Sequence, residues 1–492
     1  MIDIENLPFV GFVNNLERRK EWVAYAKLVL EHLRNGENIG FVADTAAGKT
    51  IVALMVVLGG GYRTLFATPQ KILTIQHLEL LQKLAGDNSM ACALTGETPR
   101  GKRTWDKDLV IATPQTIEND IRSGRLDLGR FELFIPDEFH RAVGHYSYTA
   151  IARMAHARGL KIFGLSASPA GDPERIEVTK KGLFLDTFIV ANIKAPERLE
   201  DVVIVEPDDR LIEAESYLSA LLDRVGFELF SEGLLLSAPK KVLSQKELEK
   251  MRGRIDDLPA DDHLRYAGLS LTARYLKLRH ALSLLLTDGY HSFVAYGTRL
   301  AADETKAARF IWTSPDFQAA LAIANNERHP KESKFIELAQ SLKRAGKNAL
   351  IFVGTKETGA WLKDRLIDDG LRAEFLSGGR GKDAKNQRSI LDRLALREID
   401  ALLATSVVEE GVSIPEVDTV IHYSMPQTPV ARKQRNGRTG RLKAGHVIFI
   451  RMNNALDGAA YFGTRRKMDA VQAVIEGRVY PERKPLPLFP GW

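Results

Sequence analysis

The stretch that decides the fold is Phe41-Val-Ala-Asp-Thr-Ala-Ala-Gly-Lys-Thr-Ile-Val52, which passes from an apolar run through a short loop into a second apolar run. This pattern predicts a buried strand, a tight loop and the start of a helix. Gly48 lets backbone N–H groups approach an anion closely, and the helix N-terminus adds partial positive charge. The lysine and threonine that follow suit a phosphate and a divalent cation, so the segment predicts a phosphate-binding loop.

Short apolar runs alternate with helical stretches in residues 38–205 and again in residues 348–452. That alternation predicts βα units on parallel sheets, so we expect two α/β domains. The predicted strands are Ile39–Ala43, Thr64–Ala67, Ala91–Leu94, Leu109–Ala112, Leu133–Pro136, Lys161–Leu165, Ala349–Val353, Ala373–Leu376, Ala401–Ala404, Thr419–Tyr423 and Gly445–Ile450.

The middle of the chain has a different composition. Residues 208–327 are rich in Leu, Ala and charged residues at spacings of three or four, which predicts helices. The predicted domains are therefore residues 1–205 (first α/β domain), 206–328 (helical insert), 329–480 (second α/β domain) and 481–492 (irregular tail). The length of 492 residues agrees with about three domains of roughly 150 residues each.

Bulk composition limits the class of protein. The formal net charge of +6 permits a polyanionic partner without requiring one. Cys92 is the only cysteine, which excludes a disulfide framework and favours a reducing compartment. The first residues lack the basic and apolar regions of a signal peptide, and the longest apolar runs are too short to span a bilayer. We expect a cytoplasmic protein with no membrane partner.

Two adjacent acids end another apolar run, in Leu133-Phe-Ile-Pro-Asp-Glu-Phe-His140. They lie at the edge where open parallel sheets bind ligands. We predict that Asp137 and Thr50 hold Mg²⁺ and that Lys49 contacts the β- and γ-phosphates of ATP. Glu138 would orient and deprotonate the attacking water. Contact with the nucleotide is predicted for the whole loop: Ala43, Asp44, Thr45, Ala46, Ala47, Gly48, Lys49 and Thr50.

A pair of arginines on a Gly-rich turn supplies the other half of the predicted site. Gln434-Arg-Asn-Gly-Arg-Thr-Gly-Arg441 places Arg438 and Arg441 three residues apart, and therefore on one face of a helix or turn. Alone, this run also fits a solvated or RNA-binding patch. With the loop and the paired acids, it predicts that both arginines and Gln434 act on ATP from across an interdomain cleft.

The three segments, in this order, resemble those of superfamily-two helicases of the DExH kind. Further segments match the ordered motifs of that superfamily: Ala67-Thr-Pro-Gln-Lys71, Leu94-Thr-Gly-Glu97 and Ala112-Thr-Pro-Gln-Thr116 (strand-gripping motifs), Ser166-Ala-Ser168 (motif III), Ile351-Phe-Val-Gly-Thr355 (motif IV) and Ala404-Thr-Ser-Val-Val-Glu-Glu-Gly-Val-Ser-Ile-Pro415 (motif V). Within the superfamily, Val110–Asp120, Asp137–Gly144 and Gly164–Pro169 are similar to the archaeal Hef helicases, relatives of the Fanconi-anaemia M protein.

The resemblance implies two tandem RecA-like motor domains with a helical insert between them. It also implies ATP-dependent 3′→5′ translocation on single-stranded or branched DNA, with a preference for forks and a role in DNA repair or fork processing. Coupling of hydrolysis to movement is implied for His140, Ser166 and Ser168, and a nucleotide contact for Gly411. His140 read alone is equally a structural histidine. Nucleic-acid contacts are implied for Thr68, Lys71, Thr95, Gly96, Thr113, Gln115, Thr355 and Thr405.

One stretch of the insert, His263–Thr287, is basic and contains no acid. Arg274 and Lys277 of this stretch are candidates for nucleic-acid contact. The alternative is a solvated helix face.

Three positions depart from the family pattern: Ala46 replaces a glycine, Ser413 replaces an aspartate, and Glu21 stands where an adenine-reading glutamine is expected. Two other functions therefore stay open. One is an RNA helicase or double-stranded-RNA translocase, and the other is a non-catalytic scaffold for branched nucleic acid. Glu482-Arg-Lys484 resembles the core of the nuclease found in Hef proteins, but only eight residues follow it, so we expect no nuclease.

Overall fold

The computed structural model describes residues 3–7, 16–44, 47–142, 146–169, 173–193, 198–238, 242–259, 261–377, 384–405, 414–440 and 444–475. Its strands are β1 (Ile39–Ala43), β2 (Thr64–Ala67), β3 (Ala91–Leu94), β4 (Leu109–Ala112), β5 (Leu133–Pro136), β6 (Lys161–Ser166), β7 (Thr187–Ala191), β8 (Arg198–Val205), β9 (Ala349–Phe352), β10 (Ala373–Leu376), β11 (Ala401–Ala404), β12 (Thr419–His422) and β13 (Gly445–Met452). The predicted strands are confirmed, with ends that differ by at most two residues.

The α-helices are α1 (Leu16–Arg34), α2 (Lys49–Gly60), α3 (Lys71–Ala85), α4 (Pro114–Arg122), α5 (Ser147–Ala157), α6 (Glu174–Gly182), α7 (Asp209–Ser231), α8 (Gln245–Asp256), α9 (His263–Ser283), α10 (Tyr290–Ala302), α11 (Lys306–Trp312), α12 (Pro315–Asn326), α13 (Pro330–Arg344), α14 (Lys356–Asp368), α15 (Ala384–Ala395), α16 (Pro429–Asn436) and α17 (Ala455–Ile475). Short 3₁₀ turns cover Ile4–Asn6, Arg100–Lys102, Leu128–Arg130 and Phe139–Arg141, and a π-helical turn covers Leu284–Asp288.

The first sheet is parallel and has the strand order β3-β4-β2-β5-β6-β1-β7. Alternate strand residues enter two different hydrophobic cores. Phe41 and Phe66 lie in the core formed with α1, α2 and α3, whereas Val42 and Leu65 lie in the core formed with α4 and α5. The strands are mostly apolar because both faces of the sheet are covered. In open parallel sheets of this kind, ligands bind at the carboxyl ends of the strands.

The second sheet, also parallel, has the order β10-β11-β9-β12-β13-β8 and corrects one predicted boundary. We predicted that residues 198–205 belong to the first domain, but β8 pairs with β13, with Arg198 opposite Gly445. The sheet of the first domain therefore ends with β7 at Ala191. Strand β8 escaped detection because it mixes acids with apolar residues, as an exposed edge strand can.

The insert (α7 to α12) is helical, as predicted, and packs against the second sheet. Leu218 and Phe317 of the insert lie in the same hydrophobic core as Phe335 and Ile450 of the second domain. The first domain has its own cores. A smaller apolar contact joins Ile176 on α6 to Val471 on α17.

Within the described part of the chain, every helix is too short or too polar to cross a lipid bilayer.

Candidate functional site

The phosphate-binding loop joins β1 to α2. Gly48 has φ +92°, a left-handed conformation that favours glycine. Trp22 on α1 supports the loop, because its indole N–H donates a 2.8 Å hydrogen bond to the Ala47 carbonyl. The Lys49 ammonium donates to the carbonyls of Ala43 and Asp44 at 3.1 and 3.3 Å. The lysine is thus held at the helix N-terminus, where backbone N–H groups also favour an anion.

The described residues of the predicted nucleotide-binding loop lie between β1 and α2, as expected from the sequence. Thr50 is half-buried in the first turn of α2, directly after Lys49. Thr45 and Ala46 lie outside the described residues, as does Gly411.

Asp137 follows β5 and is held by four hydrogen bonds. Its backbone N–H donates to the Ala67 carbonyl at 2.8 Å, and its carbonyl accepts from the Tyr148 hydroxyl at 2.6 Å. Its Oδ1 accepts from the Glu138 N–H at 3.0 Å, and His77 Nε2 lies 3.1 Å from its Oδ2. Burial, followed by the charge of Asp137, raises the pKa of Tyr148 well above its ordinary value, so its hydroxyl stays a donor.

Glu138 adopts a left-handed backbone conformation with φ 52°, which is uncommon for a residue with a side chain. Strained backbone of this kind is concentrated at functional sites. Burial alone would raise the pKa of its carboxyl, but contact with His140 and the charge of Lys49 lower that pKa below its ordinary value. Glu138 is therefore ionised and lies close enough to the loop lysine for the positive charge of Lys49 to stabilise its carboxylate.

The predicted coupling residues meet in one cluster. His140 Nδ1 lies 2.9 Å from Ser166 Oγ and 3.3 Å from Glu138 Oε2. The Ser166 hydroxyl donates to the Ser168 carbonyl at 2.6 Å and accepts from the Ser168 N–H at 3.2 Å. The loop after β6 is thereby joined to Glu138 through His140, whose Nδ1 lies near both Ser166 and Glu138.

Helix α16 brings the second domain to the phosphate-binding loop. Lys433 Nζ lies 3.7 Å from Asp44 Oδ1 and donates to the Ala167 carbonyl at 3.3 Å. The next residue, Gln434, is buried, and its Oε1 has no hydrogen-bond partner among the described residues. Arg438 is buried two residues beyond the helix, whereas Arg441 lies outside the described residues. Through Lys433, the helix that leads to Arg438 contacts the phosphate-binding loop.

A network based on β8 fixes the position of α16. Glu200 accepts hydrogen bonds from Arg432 at 3.0 Å and from Asn436 at 2.8 Å. Asn436 Oδ1 in turn lies 2.7 Å from His422 Nε2. Arg198, on the same strand, donates to the Thr439 carbonyl at 3.1 Å. Strand β8 thus holds Arg432, Asn436 and Thr439 in place, and with them the arginine segment, as we call the run Gln434–Arg441.

The predicted nucleic-acid contacts of the first domain gather at one edge of its sheet. Thr68, Thr95 and Thr113 follow the adjacent strands β2, β3 and β4. Backbone hydrogen bonds join their ends, from the Thr68 N–H to Ala112 and from the Thr113 N–H to Leu94. The accompanying residues are Lys71 (exposed, 2.7 Å from Glu97), Gly96 (with open space at its Cα) and Gln115 (exposed).

The contacts predicted for the second domain and the insert are less open. Thr355 and Thr405 follow the adjacent strands β9 and β11, but the Thr355 hydroxyl lies 3.0 Å from Ser292 of the insert. The Thr405 hydroxyl oxygen is buried without a described partner. On α9, Arg274 lies 3.8 Å from Glu228 and Lys277 lies 2.7 Å from Asp303. These ion pairs neutralise both cations within the insert and weaken the prediction that they bind nucleic acid.

Several residues of the site were missed in the sequence. All of them lie outside the recognised motifs: His77, Tyr148, Lys433, Trp22 and Glu200. A single histidine on an apolar helix carries no spacing signal. Lys433, however, directly precedes a recognised motif, so its position could have been considered.

The residues present fit Mg²⁺. Thr50 and Asp137 offer hard oxygen donors, which this ion prefers. No group of three or more His, Cys, Asp or Glu suited to a metal ion occurs in the described residues. Magnesium is usually held by one or two protein carboxylates together with substrate phosphates and water.

Comparison with known proteins agrees with this geometry. A family profile described as DEAD/DEAH box helicase matches residues 24–176, and one described as helicase conserved C-terminal domain matches residues 331–443. The crystal structure of the Pyrococcus furiosus Hef helicase domain is 31% identical, with a TM-score of 0.66, over 90% of this chain and 97% of that chain. The chain belongs to the Hef helicase family. The predicted pair of RecA-like domains with a helical insert is thereby confirmed.

Two curated relatives of this Hef-family chain differ in the nucleic acid given in their names, RNA for one and DNA for the other. A provisionally named ATP-dependent RNA helicase of Methanocaldococcus jannaschii is 27% identical over 89% of the chain. ATP-dependent DNA helicase MPH1 of Coccidioides immitis is 24% identical over 94% of the chain. The chain spans 59% and 46% of their lengths, that is, about half of the curated relatives that it matches.

Proposed function

We propose that the chain is an ATP-dependent nucleic-acid helicase or translocase that moves 3′→5′ on DNA and prefers forked or branched structures. The observation that carries the proposal is the contact of Lys433 with Asp44 and Ala167, which brings the arginine segment to the phosphate-binding loop. A role in DNA repair or replication-fork processing follows from membership of the Hef family. We place the activity in the cytoplasm, in keeping with a single cysteine.

The residues divide the hydrolysis of ATP between the two domains. Lys49 and the N–H groups of α2 bind the β- and γ-phosphates. Glu138 Oε2 accepts a proton from the attacking water, and Arg438 with Arg441 offsets the charge that develops on the transferred phosphoryl group. Mg²⁺, held by Thr50 and Asp137, would neutralise phosphate charge when bound.

Nucleic acid would cross both sheets at the carboxyl ends of their strands. Thr68, Thr95 and Thr113 on the first domain and Thr405 on the second would contact phosphates, which carry no base information. Closure around ATP shifts one set of contacts relative to the other, and hydrolysis reverses the shift. Binding should weaken as salt rises, because neutralising phosphates releases counterions.

ATPase activity measured with and without nucleic acid tests the proposal. We expect strong stimulation by single-stranded and forked DNA, and loss of activity in Lys49→Ala because the phosphates lose their ammonium partner. Lys83→Ala, at an exposed lysine of the same domain, is the matched control and should retain activity.

Two results would contradict the proposal. Stronger stimulation by duplex RNA than by any DNA would identify an RNA helicase or translocase instead. Unchanged function in Lys49→Ala, without nucleic-acid-stimulated hydrolysis in the parent protein, would indicate a binding scaffold.

A further inference from the structure

His77 lies in the first domain but outside every motif that the sequence revealed. It occupies the second turn of α3, is buried, and packs its ring against Phe66 with the centroids 5.1 Å apart. Its Nε2 lies 3.1 Å from Asp137 Oδ2, and both side chains are 8% exposed. An ionised carboxylate only accepts hydrogen bonds, so Nε2 must donate the proton.

This hydrogen bond decides the orientation of the Asp137 carboxylate. The backbone of Asp137 is fixed by Ala67 and Tyr148, but a fixed backbone leaves the side-chain torsions free. Oδ1 accepts from the adjacent Glu138 N–H, a local contact. Among the described residues, His77 is the one side chain at hydrogen-bond distance from the carboxylate. Without it, the carboxylate could rotate toward other partners.

The same helix begins at the nucleic-acid edge of the domain. Lys71, the first residue of α3, is exposed and paired with Glu97, and Thr68 lies just before it. His77 is six residues further, about 9 Å along a helix with a rise of about 1.5 Å per residue. Helix α3 therefore has its N-terminus at the predicted DNA track and its second turn at the predicted metal ligand.

We propose that His77 is a positioning residue that orients Asp137 for Mg²⁺ and joins α3, and with it the DNA-binding edge, to the ATP site. This inference rests on the proposed function and specifies how DNA stimulates hydrolysis at that site. Contact of DNA with the loop before α3 shifts the helix, and the His77 hydrogen bond carries the shift to Asp137. The matching link along the chain runs through Ala67, whose carbonyl accepts from the Asp137 N–H and lies 3.2 Å from the Tyr148 hydroxyl oxygen.

Two substitutions separate the hydrogen bond from packing. His77→Leu keeps an apolar side chain against Phe66 but removes the donor. His77→Gln restores an N–H near the place of Nε2. Thr74→Ala is the matched control, since Thr74 is buried on the same helix and its hydroxyl donates only to Lys71 of that helix. Melting temperature and DNA affinity without ATP, measured by fluorescence anisotropy, check that each variant is folded and binds DNA.

The readouts are the Mg²⁺ concentration for half-maximal ATPase activity and the ratio of activity with and without single-stranded DNA. A residue that hydrogen-bonds to a metal ligand typically contributes about 10- to 100-fold to metal affinity or activity. We therefore expect His77→Leu to raise the half-maximal Mg²⁺ concentration about 10-fold and to lower the stimulation ratio. His77→Gln should recover most of both, and Thr74→Ala should match the parent protein.

The inference is overturned if the folded His77→Leu protein matches Thr74→Ala in either readout, or if His77→Gln is no better than His77→Leu. A parent protein that hydrolyses no ATP under any condition would instead refute the proposed function, so the two failures are distinguishable.

Discussion

At the scale of single residues, Gly48 is under two separate constraints. Its φ of +92° strains any residue with a side chain, and an added Cβ would lie 2.7 Å from Trp22 Cε2. The Trp22 ring cannot move away freely, because its N–H is bonded to the Ala47 carbonyl. Both constraints keep the backbone of the loop close to the place where the sequence predicts a phosphate.

We expect Gly48→Ala to abolish ATP binding, because the loop must shift to accommodate the new Cβ. Gly36→Ala is the matched control: Gly36 also has positive φ, +86°, but open space around its Cα. The control should lose only about 1–2 kcal/mol of stability from backbone strain and should keep its ATPase activity. ATP titration and thermal unfolding of both variants check this. Equal ATP affinity in the two variants would show that the Trp22 contact does not matter.

The sequence singles out individual residues where chemistry and local spacing combine. Lys49, Asp137 and Glu138 were recognised because a loop, a strand end and paired acids each have a pattern along the chain. The influence of Lys49 on the pKa of Glu138 agrees with their predicted proximity. His77 could not be recognised in this way, because its partner lies 60 residues away and an isolated histidine has no characteristic spacing.

At the scale of elements, β8 and α16 act together. Arg432 is buried with its guanidinium over the Phe449 ring, and Glu200 supplies the carboxylate that pairs with it. Burial, with the nearby charge of Arg435 as a smaller cause, lowers the pKa of His422 well below its ordinary value, so the neighbouring imidazole is neutral. Because His422 carries no charge, Glu200 is the group that compensates the positive charge of Arg432 on α16, the helix that leads to Arg438.

We expect Glu200→Ala to lower the ATPase kcat about 10-fold with little change in the KM for ATP, because the arginine segment loses its support while the phosphate-binding loop stays intact. Leaving Arg432 without its partner should also cost roughly 1–3 kcal/mol of stability. Asp201→Ala is the matched control, since Asp201 follows on the same strand, is exposed and pairs with His446, outside the contacts that hold α16. Steady-state kinetics of both variants test this, and a raised KM with unchanged kcat would contradict it.

Elements were predictable to the extent that their patterns are local. The fully buried strands β1, β4, β9 and β11 were found from their apolar runs. Strand β8 was not recognised as a strand, and its residues were assigned to the wrong domain, because strand pairing depends on which neighbour is available in space and not on the strand's own composition.

At the scale of the whole molecule, the insert and the second motor domain form one packed unit. They share a hydrophobic core, and polar contacts reinforce the junction. Lys331 is fully buried and donates to Asp457 at 3.1 Å and to the Thr287 carbonyl of the insert at 2.7 Å. Asp288 accepts from the Ser424 hydroxyl at 2.5 Å. We infer that the insert moves with the second domain when the cleft opens and closes.

We expect Lys331→Met to destabilise this unit by about 3–5 kcal/mol, because it leaves Asp457 buried without its counter-charge. Burial already raises the pKa of Asp457, and Lys331 is the strongest influence that lowers it. Lys334→Met is the matched control on the same helix: Lys334 pairs with Glu337 at the surface and should contribute less than about 1 kcal/mol.

Differential scanning calorimetry of the full chain measures both variants. Because the insert shares its core with the second domain, the two should unfold in one transition, which Lys331→Met shifts to lower temperature. Equal transition temperatures for Lys331→Met and Lys334→Met, or separate melting of the insert, would contradict this picture.

The sequence by itself determined the parallel α/β domains, the helical insert and the chemistry of the nucleotide site. These features follow from local periodicity and from reactive residue types at short, fixed spacings. The tertiary structure alone decided that β8 belongs to the second sheet, that Lys433 reaches Asp44, and that Arg274 is neutralised by Glu228. Such contacts join residues far apart in the chain, where packing and charge compensation select the partner and no spacing along the sequence encodes it.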